Sequence, residues 1–265
     1  MPTFRITLAY DGTDFVGWQR QAAGTSIQGL IEGALRELDG RDVAVAGAGR
    51  TDAGVHATGQ VASFSLERSI DTTTVKRALN ARLPPDIRVL SSLEAAETFH
   101  ARFDARAKTY RYRIWNDDVI SPFERRYAWH VITPRGALDL RAMTAAARLL
   151  EGRHDFAAFQ ATGSEARTTE RMVEASRVLT NPPGDSRGSG ESRASLIAYE
   201  ITGDGFLRHM VRAIVGSLVE IGRGRRSADW LAEVLASRDR TRAGPAAPPH
   251  GLFLTSVDYD RAAPS

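Results

Sequence analysis

Hydrophobic and polar positions in the first hundred residues follow two different periods, which predict strands and helices. A period of two predicts a strand over residues 4–10, where large apolar side chains occupy every second position. Shorter runs rich in β-branched and apolar residues predict further strands near residues 43–45, 61–66 and 87–93. These four segments are the predicted strands of the first half.

Two helices are predicted between these strands. Apolar residues three and four positions apart predict the first helix over residues 27–38, ending at Gly40. Thr25 and Gln28, three residues apart, predict a capping box at its start. The second helix is predicted near residues 73–82 and is ended by a Pro-Pro pair. The order of the first half is therefore β-α-β-β-α-β.

The second half predicts the same order with one extra helix. Its strands are predicted at residues 110–114, 173–179, 195–201 and 252–257, and its helices at residues 140–150, at 210–221 and after Ser227. Residues 181–193 contain turn formers and no large apolar residue, which predicts a flexible hairpin tip.

The repeated element order predicts an α+β fold of two ferredoxin-like halves with antiparallel or mixed sheets. The predicted halves are residues 1–105, which carry a Gly-rich loop, and residues 106–265, with the connection around residues 103–107. If the two sheets combine, we expect a central cleft between the halves, which is a usual place for an active site.

The composition narrows the classes of function. Of 265 residues, 42% are hydrophobic and 25% are charged, as in an ordinary globular protein. The absence of cysteine excludes disulfides, thiolate nucleophiles and Cys-ligated zinc. No apolar run is long enough to span a membrane and no signal peptide is recognisable, so we expect a cytoplasmic protein with no membrane partner. A net charge of +3 is a weak indication of an anionic partner.

Residues 47–57, with the sequence GAGRTDAGVHA, are the segment whose pattern most strongly indicates a functional site. Small residues on both sides of Arg50, Thr51 and Asp52 favour a tight loop in which backbone can approach a ligand closely. A Gly-rich turn whose Asp bonds its own backbone is an equally good interpretation of the pattern. Phosphate cradles and metal sites fit less well, since there is no Gly-Lys-Ser/Thr ending and His56 is the only other nearby ligand type.

Two further segments combine basic residues with apolar or aromatic ones. Residues 108–114, KTYRYRI, predict a strand with Tyr110 and Tyr112 on one face and arginines on the other. Such interleaving suits RNA binding, although an amphipathic strand with Tyr112 in the core explains it too. In residues 205–212, GFLRHMVR, two arginines lie one helical turn apart, which a solvated face also explains.

Five motifs in order resemble the tRNA pseudouridine synthase A family over essentially the whole chain. They are YDGTDFVGWQRQ, GRTDAGVHA, KTYRYRI, GFLRHMVR and GLFLTSVDY, at residues 10–21, 49–57, 108–114, 205–212 and 251–259. The resemblance implies an isomerase that converts uridine to pseudouridine at positions 38 to 40 of the tRNA anticodon arm. It also implies a homodimer in which each tRNA contacts both subunits.

The resemblance assigns a role to five residues of this sequence. Asp52 would be the catalytic aspartate, and Arg212 would pair with it. Tyr110 would stack on or pack against the target base, and Leu252 would form part of an apolar pocket wall. Arg50 would help to flip out the target nucleotide and hold its vacated place.

The implied reaction requires no redox change and no group donor, so we expect no metal and no organic cofactor. Whether Asp52 attacks the ribose, adds to the uracil ring or removes a ribose proton stays open. Three alternatives remain: a non-catalytic RNA-binding protein of the same fold, a hydrolase using Asp52, His56 and Asp204, and a pseudouridine synthase acting on another RNA or another tRNA position.

Overall fold

The computed structural model describes residues 1–134, 136–161, 163, 168–180 and 196–259. The predicted hairpin tip, residues 181–193, lies outside the described residues. The chain divides into two compact units. The first, here called the N-terminal unit, comprises Met1–Lys108 and the described residues from Phe253 onward; the central unit is Thr109–Leu252.

Strands and helices occur in both units. The described strands are β1 (Thr3–Tyr10), β2 (Ala46–Gly47), β3 (His56–Ser65), β4 (Ile87–Ala95), β5 (Ala107–Trp115), β6 (Trp129–His130), β7 (Gly152–Asp155), β8 (Glu170–Thr180), β9 (Leu196–Gly203) and β10 (Leu252–Asp258). The described α-helices are α1 (Ile27–Asp39), α2 (Thr72–Arg82), α3 (Leu140–Arg148), α4 (Met210–Gly222) and α5 (Asp229–Ser237). The predicted α+β class is confirmed.

The sheet of the N-terminal unit is built around β1. This strand pairs antiparallel with β3 on one side and with β4 on the other, and its side chains Phe4, Ile6 and Leu8 are fully buried. On the far side of β3, β2 pairs antiparallel, and β10 pairs parallel through Phe253 and Leu254. Arg5, Thr7 and Ala9, on the other face of β1, are only partly buried, and this difference between the two faces explains the period-two pattern of this strand.

Helix α1 begins and ends as its pattern predicts, but its cap is different. Ser26 is the N-cap, and its hydroxyl accepts a hydrogen bond from the Gly29 amide. The predicted Thr25–Gln28 capping box is wrong because the Gln28 side chain donates instead to the Val45 carbonyl and to Glu32. At the other end, Gly40 adopts a φ of 80°, which glycine reaches without strain.

The strand predicted near residues 43–45 is also wrong, because strand pairing begins later, with β2. Val43 and Val45 are buried, which is why their pattern resembled a strand. The backbone of Val45 is satisfied by side chains of α1: its amide donates to Glu32 and its carbonyl accepts from Gln28. Side-chain partners thus replace a strand at this position.

The central unit contains a sheet in the order β5-β9-β8-β7, with β6 paired to β5. Strands β7, β8 and β9 pair antiparallel, and α3 packs against β8 and α4. Strands β6 and β7 were not predicted, because segments of two and four residues are too short to show a period. The predicted halves, residues 1–105 and 106–265, stay a prediction about domains.

Helix α4 runs through the core of the central unit. Nearly all of its residues are buried, unlike those of an ordinary surface helix. Within it, the Ser217 hydroxyl donates to the Ala213 carbonyl and accepts from the Gly244 amide. The first turn of α4, which carries Arg212, therefore belongs to a tightly packed helix. In the part of the chain that the structure describes, no helix is long and apolar enough to cross a membrane.

Asp39 joins the end of α1 to the end of β3. Its carboxylate is fully buried and accepts hydrogen bonds from the amides of Glu67 and Arg68 and from the Arg41 guanidinium. Burial raises the pKa of Asp39, but the bonds from Arg68, Glu67 and Arg41 outweigh it, so the pKa lies below its ordinary value of 3.8. The charged form of Asp39 is therefore the one that stabilises the fold.

Replacing Asp39 by Asn should lower the free energy of unfolding at pH 7 by about 1–3 kcal/mol, since two backbone amides lose a charged acceptor. Because the folded-state pKa is depressed, the stabilisation is present above the ordinary pKa and is lost as pH falls through the folded-state value. Urea unfolding at pH 7 and near pH 3 should show the difference shrinking in acid. Asp42→Asn, at a side chain 92% exposed, is the control and should change little.

Candidate active site

Arg50 and Asp52 lie on the loop between β2 and β3, residues 48–55, here called the Asp52 loop. Arg50 is exposed and Asp52 is half-buried. The Val55 amide donates to the Asp52 carbonyl at 3.1 Å, which closes a tight turn directly after the carboxylate. The loop therefore presents one carboxylate near the surface of the N-terminal unit.

A second backbone segment crosses the Asp52 loop at close range. The Trp18 amide donates to the Thr51 carbonyl at 3.0 Å, and Gly17 forms an isolated antiparallel bridge with Asp52. A Cβ atom at Gly17 would lie 2.6 Å from the Thr51 carbonyl oxygen, and Gly17 has a φ of 105°. Only glycine fits at this crossing, so the position of Asp52 depends on Gly17.

Buried polar side chains support the same loop from below. The Tyr10 hydroxyl bonds the Thr51 hydroxyl at 2.9 Å, and Gln60 Nε2 donates to the Gly49 carbonyl at 2.8 Å and to the Tyr10 hydroxyl at 3.3 Å. Burial raises the pKa of Tyr10 to about 12, although the bonds to Thr51 and Gln60 oppose this. Tyr10 is thus a neutral hydrogen-bonding support at physiological pH.

His56, which follows the Asp52 loop, has a structural environment. Its ring is almost fully buried and stacks on Phe253 with ring centroids 4.6 Å apart. The Gly12 amide donates to His56 Nδ1 at 3.0 Å, and Asp11 Oδ1 lies 3.1 Å from the same nitrogen. These contacts tie the β1–α1 connection to the start of β3, which is a packing role and leaves His56 poorly placed for hydrolysis.

The surroundings of Asp204 also count against the hydrolase alternative. Asp204, in the central unit, follows the end of β9, and its Oδ1 accepts a hydrogen bond from the Met172 amide near the start of β8. Among the described residues, no group of three or more His, Asp or Glu side chains is arranged to hold a metal ion. The residues proposed for hydrolysis therefore do not form a metal centre in the described part of the chain.

Tyr110 and Tyr112 of β5 lie in the central unit and differ in their surroundings. The Tyr112 hydroxyl donates to the Pro248 carbonyl at 2.8 Å, and its ring is fully buried edge-on to Trp129. The core interpretation of Tyr112 is thus confirmed. Tyr110 is 7% exposed and packs edge-on against Phe206, with ring centroids 5.1 Å apart.

The arginines that alternate with these tyrosines are engaged by carboxylates. Arg111 Nη2 lies 3.0 Å from Glu200, and Arg113 Nη2 lies 2.9 Å from the buried Glu124. These ion pairs favour the amphipathic-strand interpretation of β5 over one in which Arg111 and Arg113 contact phosphate.

Arg212 is held at the start of α4 by the segment that precedes β10. Its Nε donates to the Ala247 carbonyl at 2.7 Å, and the Ala247 amide donates back to the Arg212 carbonyl at 2.9 Å. Burial lowers the pKa of nearby His250, and the positive charge of Arg212 adds to this, against a hydrogen bond with Ala128. Leu252, two residues further on, is buried.

The predicted site residues therefore fall into two groups, each described within its own unit. Arg50 and Asp52 share one loop of the N-terminal unit, while the central unit holds Tyr110, Arg212 and Leu252. The support that Gln60 gives to the Asp52 loop was not predicted, although a glutamine within the apolar run of β3 is a sequence feature that indicates a buried polar role. Nothing in the local pattern marks His250.

A profile of a family described as tRNA pseudouridine synthase matches residues 6–104 and 146–260 of this chain. A protein of Myxococcus xanthus named tRNA pseudouridine synthase A is 46% identical over 259 residues, covering 98% of this chain and 92% of its own length.

The chain belongs to the tRNA pseudouridine synthase family.

Other members of the family are equally similar. The tRNA pseudouridine synthase A of Moorella thermoacetica is 46% identical over 98% of this chain and all of its own length. That of Geobacter sulfurreducens is 45% identical, also over 98% of this chain and its whole length. Membership of the synthase family thus extends over both units, including the Asp52 loop and the first turn of α4.

Gly17→Ala should lower the free energy of unfolding by about 1–3 kcal/mol, because alanine at this φ is strained and its Cβ meets the Thr51 carbonyl. Urea unfolding measures the loss, and amide hydrogen exchange should show faster exchange at Trp18. Gly33→Ala in α1 is the matched control: nothing lies within 4 Å of the added atom, so we expect unchanged or slightly higher stability. Equal stability of the two variants would show that residues 17 and 51 are not held in close contact.

Proposed function

We propose that this chain isomerises uridine to pseudouridine in tRNA and that Asp52 is its catalytic carboxylate. The observation that carries the proposal is the placement of Asp52. It is a half-buried carboxylate on a loop that the Gly17 crossing and a buried polar network hold in one position. Relatives 46% identical over nearly the whole chain, named as enzymes of this activity, support the same conclusion.

The reaction depends more on accurate placement of the catalytic carboxylate than on a strongly reactive group. The bond between ribose C1′ and uracil N1 breaks, the base turns, and C1′ bonds to uracil C5. The proton on C5 leaves and N1 gains a proton, so the atoms balance without a group donor or an oxidant. A carboxylate fixed beside the ribose and the base serves each of the three routes open to Asp52, and fixed geometry is a large source of catalysis in such steps.

Roles for the other site residues are part of the proposal and rest on the motif resemblance. Tyr110 is proposed to pack against the target base, which would offset part of the cost of removing the base from its stack. Leu252 is proposed to provide an apolar wall, and Arg50, which is exposed, to hold the place that the base leaves. The pairing of Arg212 with Asp52 stays a prediction.

The finer statements about substrate, assembly and location are proposals as well. We propose that the uridines at tRNA positions 38 to 40 are the targets, that the enzyme acts as a homodimer, and that it works in the cytoplasm, where tRNA is available. Mapping of pseudouridine in tRNA from a strain lacking the gene tests the positions. Light scattering of the purified protein tests the dimer.

We also propose that residues 1–105 and 106–265 form two ferredoxin-like halves. The element order of the N-terminal unit, β1-α1-β2-β3-α2-β4, with β1 between β3 and β4, supports this for the first half.

Asp52→Asn should reduce turnover by roughly a hundred- to ten-thousandfold while leaving tRNA affinity within a few-fold, because the amide keeps the shape but loses the charge. The assay is tritium release from tRNA labelled at uracil C5, with no added metal. Asp42→Asn, which changes an exposed aspartate in the same unit, should retain full activity.

Retention of near-normal turnover by Asp52→Asn would contradict the assignment of the catalytic residue. Tight tRNA binding by wild-type protein without any tritium release would instead favour the non-catalytic RNA-binding alternative.

Arg212→Ala should lower kcat by roughly ten- to a thousandfold, and Arg212→Lys should recover part of it, since lysine restores the charge but not the bond from Nε to Ala247. Tritium release at saturating tRNA gives kcat, and urea unfolding gives the stability of each variant. If both variants lose stability but keep kcat, Arg212 only anchors residues 247–250.

A further inference from the structure

The turn that follows β4 exposes an aromatic ring on a rigid support. The Phe103 side chain is 75% exposed, although it lies within a hydrogen-bonded turn at residues 100–104. The Asp104 amide donates to the His100 carbonyl at 3.1 Å, and the His100 amide donates to Asp104 Oδ2 at 2.8 Å. The two ends of the turn are thus joined twice, which holds the backbone that carries Phe103.

A second ring and a cation lie beside the exposed Phe103 ring. The His100 ring stacks on the Phe103 ring with centroids 4.2 Å apart, and His100 Nδ1 accepts from the amides of Arg102 and Phe103. The Arg102 guanidinium lies 5.8 Å from the centre of the Phe103 ring. His100, Arg102 and Phe103 are called the aromatic platform below.

The aromatic platform is anchored to the same core as the Asp52 loop. Ala101, inside the turn, is fully buried and packs with Ala48 and Val61. Its amide donates to the Ser63 hydroxyl at 3.0 Å, and its carbonyl accepts from the Tyr259 hydroxyl at 2.7 Å. Since Ala48 begins the Asp52 loop, one small core sets the positions of the aromatic platform and of this loop within the N-terminal unit.

We propose that the aromatic platform stacks on an unpaired base of the tRNA substrate and contacts an adjacent phosphate through Arg102. Every base has a π face, and an aromatic side chain beside an arginine is a common way to hold one. The proposal rests on the proposed function and adds a binding surface to it.

The surroundings of the platform favour RNA over a second protein. Arg102, Asp104 and Arg106, which are close to Phe103 in the sequence, are all exposed, so charged side chains flank the ring. A stable protein interface needs a much larger surface, whereas one ring is enough for a base. The Asp104 carboxylate accepts a hydrogen bond from the His100 amide within the turn, while Arg102 provides a cation beside the ring.

Phe103→Ala tests the platform, with Phe123→Ala as the matched control. Phe123 is also 75% exposed but lies in the central unit, so the two variants remove the same exposed side chain. We expect Phe103→Ala to weaken tRNA binding by roughly five- to a hundredfold, as loss of a stacked base does. Phe103→Trp should bind as well as wild type, and Phe123→Ala should bind within twofold of it.

Binding is measured by fluorescence titration of labelled tRNA at fixed salt, and tritium release at saturating tRNA measures kcat. An increase of KM with kcat within a few-fold of wild type is the result expected for a docking surface. Arg102→Ala should weaken binding less than Phe103→Ala and should reduce the salt dependence of binding.

Three results would overturn the proposal: unchanged tRNA affinity of Phe103→Ala, equal losses in Phe103→Ala and Phe123→Ala, or a Phe103→Ala protein whose weaker binding accompanies a change of oligomeric state in light scattering. The last would assign the ring to contact between copies of the chain. If wild-type protein releases no tritium but still binds tRNA more tightly than Phe103→Ala does, the proposed function is contradicted and the role of the aromatic platform is not.

Discussion

A single hydrogen bond, from the Trp18 amide to the Thr51 carbonyl, lies at the centre of the candidate active site. It requires two stretches of backbone to approach each other so closely that no side chain fits at Gly17. The buried bonds of Tyr10 and Gln60 support the same loop from the sheet side. Asp52 is therefore positioned by atoms that belong to β1, β3 and the connection after β1, and the fold of the whole unit contributes to the placement of one carboxylate.

This arrangement suits a reaction that rearranges bonds without a cofactor. Catalysis by placement requires that the reacting group does not move when substrate binds, and hydrogen bonds buried among apolar side chains provide that rigidity. Arg212 in the central unit is also held rigidly, because its Nε donates a hydrogen bond to the Ala247 carbonyl and its helix is buried on nearly every side. In both units, the residues proposed for chemistry stand on rigid parts of the chain.

Much of the fold could be predicted from the sequence, and apart from the short strands β6 and β7 the exceptions share a cause. The patterns of β1, α1 and α4 are long and follow one period, so their existence and type were predictable. The segment around Val45 was not, because its backbone is satisfied by Gln28 and Glu32, whose roles depend on tertiary contacts. The same holds for the site: a Gly-rich pattern marks Asp52, and the motif resemblance assigns its role. The support that Gln60 gives to the Asp52 loop could not be predicted, nor could the burial of His56 in a structural role. Both depend on contacts with distant parts of the chain.

The parallel pairing of β10 with β3 has a consequence for synthesis of the protein. Phe253, which stacks on His56 beside the Asp52 loop, is translated long after the rest of the N-terminal unit, with the central unit made in between. At elongation rates of roughly 5–20 residues per second, this interval is on the order of ten seconds. During that time one side of β3 lacks its β10 partner, and a nascent chain would present an incomplete strand edge of the kind that chaperones protect. The ribosome must therefore translate the whole central unit before the first-made unit can complete its sheet.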